Sequence, residues 1–407
     1  MHVAFVEPWF PRNQREFVRA LYAVGARVSA IGESPLEELD GQLQHWLYRY
    51  ERVASVVDRG ALTETLSRIH RDDPVERLEA TIEAHVLPVA EVREALGIPG
   101  TSVRTAFLCR DKPAMKDALR DAGIPCARSL GTDSLDDVRA FASEVGFPLV
   151  IKPRDAAGAA GTWKVGSESE LEPVARACGL VGGAPVAVEE FNDGHEGFYD
   201  TLAVNGEPVH DFVCHYYPNV LEAMRTRWIS PQIVSTNRID DWPFYDEVRE
   251  LGRRVIEVLG IGTSATHMEW FHGPKGLRFS EIGCRPPGVA TWDLYCAGND
   301  IDLYREWALA VVSGHTAARP SRSHAAGMIN LRPDRDGHVT HVDGLDGVWH
   351  DFGHWVIDAH VPAPGSPTQP VEAGFMANAW IRLRHPDFDA LRGILDTIGQ
   401  RVQVRAA

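Results

Sequence analysis

The sequence predicts a mixed chain, part α/β and part α+β, folded into two to four packed units. Three observations predict it. At 407 residues with 44% apolar content, the chain exceeds the size at which a single core stops growing. It opens on a β-α-β pattern, and its later half carries a two-strand hairpin between helices.

Residues 2 to 7 alternate as a strand, residues 12 to 25 repeat at helical spacing, and "RVSAIGE" reads as a second strand. A dinucleotide fold would place G-x-G-x-x-G after the first strand, whereas the turn here is "EPWFPRNQ". The architecture is therefore Rossmann-like without that fingerprint. A helix-strand series from 53 to about 98 ends in "ALGIPG", where Gly97, Pro99 and Gly100 stop a helix, so the first boundary is expected near residue 105. A helix follows in "RDKPAMKDALRDAGIP" with Asp111 as its N-cap, then a strand, a helix from about 134 and the strand "FPLVIKP".

Composition removes several classes of function. The net charge of -16 disfavours a phosphate-backbone partner, because nucleic-acid affinity rests on Lys and Arg releasing counterions. No apolar run is long enough to span a bilayer, and Glu7 interrupts the start where a signal peptide would be apolar, so a cytoplasmic protein is expected. The six cysteines lack a C-x-x-C pair and read as free thiols. The pairs His338/His341 and His350/His354 fall in segments that read as strands and turns, where helical i, i+4 metal geometry does not apply.

Chemistry gathers in four stretches. "PRDAAGAAGTWKVG" (153 to 166) is a small-residue loop after a strand, able to bring backbone amides close to phosphate oxygens. "APVAVEEFNDGHEGF" runs from an apolar strand into a hinge whose main chain could meet an adenine edge; its bland alternative is a strand ending in a solvated acidic turn. The helix "DEVRELGRRVIEVL" aligns Val248, Leu251, Val255 and Val258 on one face and serves packing. "SATHMEWFHGPKGLRFSEIG" reads as two strands. A connection of three or five residues, with a bulge, puts Glu269 opposite Glu281 on one face; a four-residue connection puts them on opposite faces. Two facing carboxylates need a counterion, and hard oxygen ligands suit magnesium held with nucleotide phosphates. Arg285 could grip a phosphoryl group or carboxylate bidentately.

The order of these features, a lysine after a linker, a K-P strand with a small-residue loop, an E-E-F hinge and an E-x-x-x-R-x-x-G hairpin end, resembles the ATP-grasp superfamily, in its carboxylate-amine ligase branches (L-amino acid ligase and biotin-carboxylase-like). The resemblance implies an ATP-grasp fold divided as a pre-ATP-grasp domain (1–105), a small subdomain with the phosphate loop (106–186), a large subdomain (187–319) and a C-terminal lid (320–407). It implies that Lys112 and Lys152 hold the phosphates of ATP, with Gly158, Gly161 and Thr162 in the phosphate loop. Glu189, Glu190, Phe191 and Asn192 match the adenine hinge, and Glu196 the ribose position. Glu269 and Glu281 match the magnesium carboxylates, with manganese able to substitute, and Arg285 the arginine that steadies an acyl phosphate. His267, two residues before Glu269, is a catalytic candidate on the same strand face. Many relatives carry Asn where Gly283 stands, which puts a second metal site in question.

The segment after the arginine, "PPGVATWDLY", departs from the Q-V-E-H of biotin carboxylases, so the likeness points to ADP-forming ligation of amino-acid-like carboxylates and amines. A bicarbonate-activating enzyme and a non-catalytic ATP-binding protein are the alternatives. Substrate contacts are expected from residues 214 to 236, including Trp228, and from Trp292 and Tyr295. Small-molecule substrates, no nucleic acid and no membrane are the expected partners, and a homodimer is a compatible assembly.

Overall fold

The computed structural model describes residues 1–154, 161–371 and 378–407. The opening β-α-β pattern becomes a four-stranded parallel sheet, in the order Arg49–Arg52, Arg27–Gly32, His2–Val6, Arg77–Glu79. Its first crossover is the helix Gln14–Ala23, which buries Phe17, Val18 and Leu21 at helical spacing. The helix Glu83–Leu96 closes this unit at Gly97, whose φ of 66° supplies the left-handed cap that a branched residue resists.

A second, antiparallel sheet of four strands has the order Ser129–Thr132, Val186–Glu190, Leu149–Pro153, Trp163–Val165. The helix Lys112–Asp121 leads into it, started by Asp111, which accepts from the Ala114 N–H at 3.0 Å, with Pro113 in the first turn.

The largest sheet is antiparallel and eight-stranded, in the order Gly276–Gly283, Ser264–Gly273, His195–Val204, Glu207–Tyr217, Gln232–Ser235, Ala325–Leu331, Ala379–His385, Val356–His360. One part of it is covered by the helix Pro243–Leu259, which buries Val248, Leu251 and Val255. Gly252 allows the helix to sit this close, since a Cβ there would lie 2.4 Å from the Tyr199 ring. Elsewhere the N-terminal unit packs on the structure through aromatic rings: Phe17 meets Trp292 at 5.2 Å and Trp307 at 5.0 Å. Both junctions are large and apolar, so the units are held together by burial.

Two expectations change. The segment carrying His350 is the helix Leu345–Phe352, because Leu345, Val348, Trp349 and Phe352 recur at helical spacing; His354 follows in a 3-10 turn. The connection between the two carboxylate strands is also shorter than expected. Gly273 pairs with Gly276 across only Pro274 and Lys275, which by itself would put Glu269 out of register with Glu281. A bulge at Ser280 restores it, so that Glu269 pairs directly with Glu281. No helix among the described residues is long and apolar enough to cross a membrane.

Candidate active site

The hairpin's edge, the hinge strand and the helix after residue 111 converge on a cavity of about 400 Å³. Lys112 and Lys152 line it, together with Glu269 and Glu281. From the hinge come Glu189, Glu190, Phe191 and Asn192, and Glu196 and Thr162 complete the set. Gly161 neighbours Thr162 with a φ of 66°, and a Cβ there would lie 3.2 Å from the Pro153 ring. Gly158 lies outside the described residues.

The charges in this cavity are interlocked. Lys152 Nζ lies 3.0 Å from Glu189 and 3.6 Å from Glu281, and Lys112 Nζ lies 3.6 Å from Glu281. A third lysine, Lys116, is fully buried with its Nζ 2.6 Å from Glu189. Burial pulls Lys116 down to about 8, only partly opposed by Glu189. For Lys152 burial acts in the same direction, but Glu189 and Glu281 outweigh it and raise the ammonium above its usual value. Burial would raise Glu281, yet Lys112, Lys152, Lys116 and His267 together hold it down at about 2. A carboxylate this acidic stays ionised wherever the protein is folded.

Glu196 shows the reverse balance. Burial, followed by repulsion from Glu269, raises its carboxyl to about 8, although the Val220 N–H donates to it at 2.6 Å. Asn219 fixes the turn beneath it, accepting from the Glu196 N–H at 3.0 Å and donating to the Gly194 carbonyl at 2.8 Å.

The hinge residues divide their work. Glu189 turns its carboxylate to the lysines, so this side chain is engaged within the protein. Glu190 is braced from outside by Lys275 and by Arg278 at 3.2 Å. The ring of Phe191 lies under Lys164 at 4.0 Å, and the buried Oδ1 of Asn192 has no hydrogen-bond partner. An orphaned acceptor in a cavity wall is a place for a ligand donor.

His267 and Arg285 sit beside this cavity, in a cleft of about 20 Å³ that shares Lys112 and Glu281 with it. Asp200, only 1% exposed, accepts from His267 Nδ1 at 2.7 Å and from the Tyr295 hydroxyl at 2.5 Å. Burial opposes protonation of the imidazole, but Asp200 prevails and lifts it to about 9. Arg285 donates through Nε to Glu83 at 2.7 Å and through NH1 to the Pro286 carbonyl at 2.7 Å. Beyond Arg285 and Glu83 opens a third space of about 380 Å³, which both residues also line.

Sequence reasoning missed Lys116, Asn219 and Glu83. Lys116 had a signal: it stands four residues after Lys112 on one helix, the spacing that places two side chains on one face. Glu83 had none, since it comes from the N-terminal unit, 202 residues from its partner Arg285. It also crowds Gly283, where a Cβ would lie 3.0 Å from Glu83 Oε2.

The three expected substrate contacts are not brought to the site. Trp228 is 88% exposed, while Trp292 and Tyr295 are core residues at 4% and 0%. Trp292 is packed against Phe17 and Tyr304, and Tyr295 stacks on Phe212 at 4.2 Å. Aromatic content in the sequence marked a core there, not a pocket.

The chain is similar to known proteins in sequence and in fold. Residues 111–191 match the family described as carbamoyl-phosphate synthase L chain, ATP binding domain. The L-arginine-specific L-amino acid ligase of Bacillus subtilis is 27% identical over 285 residues, covering 66% of this chain and 67% of that protein. The alanine–anticapsin ligase of Bacillus subtilis strain 168 is 27% identical over 212 residues, covering 46% of this chain and 43% of that one. Among solved structures, an L-amino acid ligase from Bacillus licheniformis superposes with a TM-score of 0.78 at 16% identity, over 100% of this chain and 98% of its own.

Proposed function

The chain is an ATP-grasp protein, and on that premise we propose that it is an ADP-forming carboxylate-amine ligase acting on amino-acid-like substrates. One observation carries the reading. The charged cleft holding Lys112, His267, Glu281 and Arg285 lies between two cavities, sharing lining residues with each. A phosphoryl group leaving the first and a carboxylate arriving from the second would meet there.

The residues fit the groups the reading requires. Two facing carboxylates, one of them held ionised, provide the hard oxygen donors that magnesium takes alongside phosphate oxygens. When bound, ATP and magnesium supply a phosphoryl group that turns a carboxylate into an acyl phosphate open to attack by an amine.

The protein's own part is positioning and charge. Lys112 and Lys152 receive phosphate oxygens, and Lys116 sustains the Glu189 carboxylate that holds Lys152 in place. Arg285, aimed by Glu83, presents its planar fork to the reacting carboxylate, and protonated His267 offers Nε2 to charge developing in the cleft. Glu196 and Asn219 hold the ribose end, and the hinge main chain the adenine edge. No side chain is required as a nucleophile.

The test is release of phosphate from magnesium-ATP across pairs of amino acids, with mass detection of the product. Release that needs both a carboxylate and an amine, with a dehydrated conjugate, is the expected result. Release driven by bicarbonate alone would transfer the enzyme to the bicarbonate-activating branch. Nucleotide binding with no release on any pair would overturn the ligase reading.

A further inference from the structure

The space of about 380 Å³ beyond Arg285 is built differently from the charged cleft. Its size falls in the range of small-molecule pockets, about 300–1,000 Å³. Much of its wall is apolar: Ile82 from the N-terminal unit, Val289 from the turn after the carboxylate hairpin, and Met328 and Trp380 from the last part of the large sheet. Met328 pairs with Arg382 across neighbouring strands, and Trp380 lies two residues before Arg382, so these three side chains share one sheet face.

Arg382 is an anchor for that wall. It is 6% exposed and clamped by Asp293 at 2.8 Å and Asp358 at 2.5 Å, and its guanidinium lies over the Trp380 ring at 4.5 Å. The indole is therefore held in one orientation by a cation that is itself fixed on both sides. The turn at Val289 and Ala290, whose Ala290 carbonyl accepts from Arg382 NH1 at 3.4 Å, is under strain. Val289 and Ala290 have φ of 49° and 54°, a left-handed conformation that a β-branched residue strongly resists. Such strain persists where surrounding structure imposes it, and here it bends the chain around the cavity.

We infer that this cavity is the side-chain pocket for one amino-acid substrate, and that Trp380, Met328 and Ile82 select a large apolar side chain. The inference rests on the ligase reading, and deepens it. A substrate whose carboxyl or amino end lies against Arg285 and Glu83 has its side chain directed to the apolar wall, because the charged residues line the end shared with the cleft. Glycine or alanine would leave most of this space unfilled. A charged side chain would lose its hydration against Trp380 and Met328, and Arg382 would not compensate it, since that guanidinium is already paired with two carboxylates.

The experiment is phosphate release from magnesium-ATP with a graded panel of amino acids, from glycine through alanine and leucine to phenylalanine, plus aspartate and lysine. It uses the full chain and the variants Trp380→Leu and Ile82→Ala, which alter two walls from different parts of the molecule. Wild type is expected to favour leucine or phenylalanine over glycine by about 10- to 200-fold in kcat/KM. Each variant should shrink that ratio at least about tenfold, mainly through KM for the large substrates. ADP binding by calorimetry monitors the nucleotide cavity, which neither substitution touches. If amino acids stimulate release but glycine does as well as leucine and phenylalanine, this inference falls while the ligase reading stands. The same holds if a variant that still binds ADP keeps the wild-type ranking. If no amino acid stimulates release, the ligase reading falls and takes the inference with it.

Discussion

The two large cavities are nearly equal in volume, about 400 and 380 Å³, and opposite in construction. The first is floored by ions that hold one another: three lysines share Glu189 and Glu281, and none of these five side chains is free to relax independently. The second draws apolar residues from five parts of the chain, Pro11, Ile82, the turn after Arg285, Met328 and Trp380, with polar groups between them. On the proposed reading, chemistry resides in the first cavity and selectivity in the second. Preorganised charge serves a transition state common to every substrate, whereas apolar shape distinguishes one substrate from another.

The sharpest way to break that contrast is to alter the first cavity and leave its fold intact. Glu281→Gln keeps the shape of the side chain but removes the charge facing Glu269, which is also the charge 3.6 Å from Lys112 Nζ. Turnover should fall by at least about 10²- to 10³-fold, the scale of removing one preorganised electrostatic group. Circular dichroism should be unchanged, and phosphate release near the wild-type rate would remove the metal assignment. Arg285→Lys comes next. A point charge can keep the ion pair with Glu83 but cannot present a fork to a carboxylate, so kcat should fall by about 10²-fold with ADP affinity preserved. A full rate in that variant would make Arg285 structural.

Glu196 gives a prediction in pH. Its folded-state carboxyl is raised from the ordinary glutamate value of 4.5 to about 8, so between those values the folded protein keeps a proton that the unfolded chain has released. Wild-type stability therefore loses ground as pH rises through this window, with the full penalty reached above pH 8. Glu196→Gln removes the penalty and keeps an acceptor for the Val220 N–H. Without nucleotide, its Tm should match wild type near pH 4 and exceed it by several degrees at pH 8.5 or above, for a difference on the order of 1–3 kcal/mol. A Tm difference that does not change with pH would show that Glu196 is ionised in the folded protein. Glu281 has the opposite sign: its stabilising effect is complete above 4.5 and is lost as pH falls toward 2.

The contrast between the cavities also explains what the sequence could disclose. Lys152, Glu189, Glu269 and Glu281 all lie on strands, yet their roles were implied by the order of motifs that carries the family resemblance and not by spacing. The hairpin register was legible only as a choice between loop lengths, because the bulge at Ser280 leaves no mark that a single sequence reveals. His350 was misplaced because Gly353 and the nearby aromatics read as turn and strand, while the 3.6-residue apolar period decided otherwise. Trp292 and Tyr295 were read as pocket residues because aromatic composition does not distinguish a cavity wall from a core. Glu83, Met328 and Trp380 reach their places through packing between units, and nothing in their local sequence indicates the neighbour they will meet.

The smallest expected effect tests the seam where the two cavities join. Gly283 lies in a strand pairing directly with His267, without the left-handed backbone that would itself demand glycine. What Gly283 provides is room, since a Cβ would come within 3.0 Å of Glu83 Oε2 and 3.5 Å of Arg285 Nε. Both contacts fall on flexible side chains, so Gly283→Ala should fold normally and displace the Glu83–Arg285 pair by a few tenths of an ångström. A shift that small is expected to lower kcat about 3- to 10-fold with little change in Tm, because a misplaced fork costs rate long before it costs stability. If the loss acts through Glu83, combining Gly283→Ala with Glu83→Gln should cost less than the product of the two single effects, since the second change removes the group the first displaces. Independent, multiplicative losses would mean that residue 283 acts on the cleft by another route, and that the close approach of Glu83 is incidental to the missing side chain.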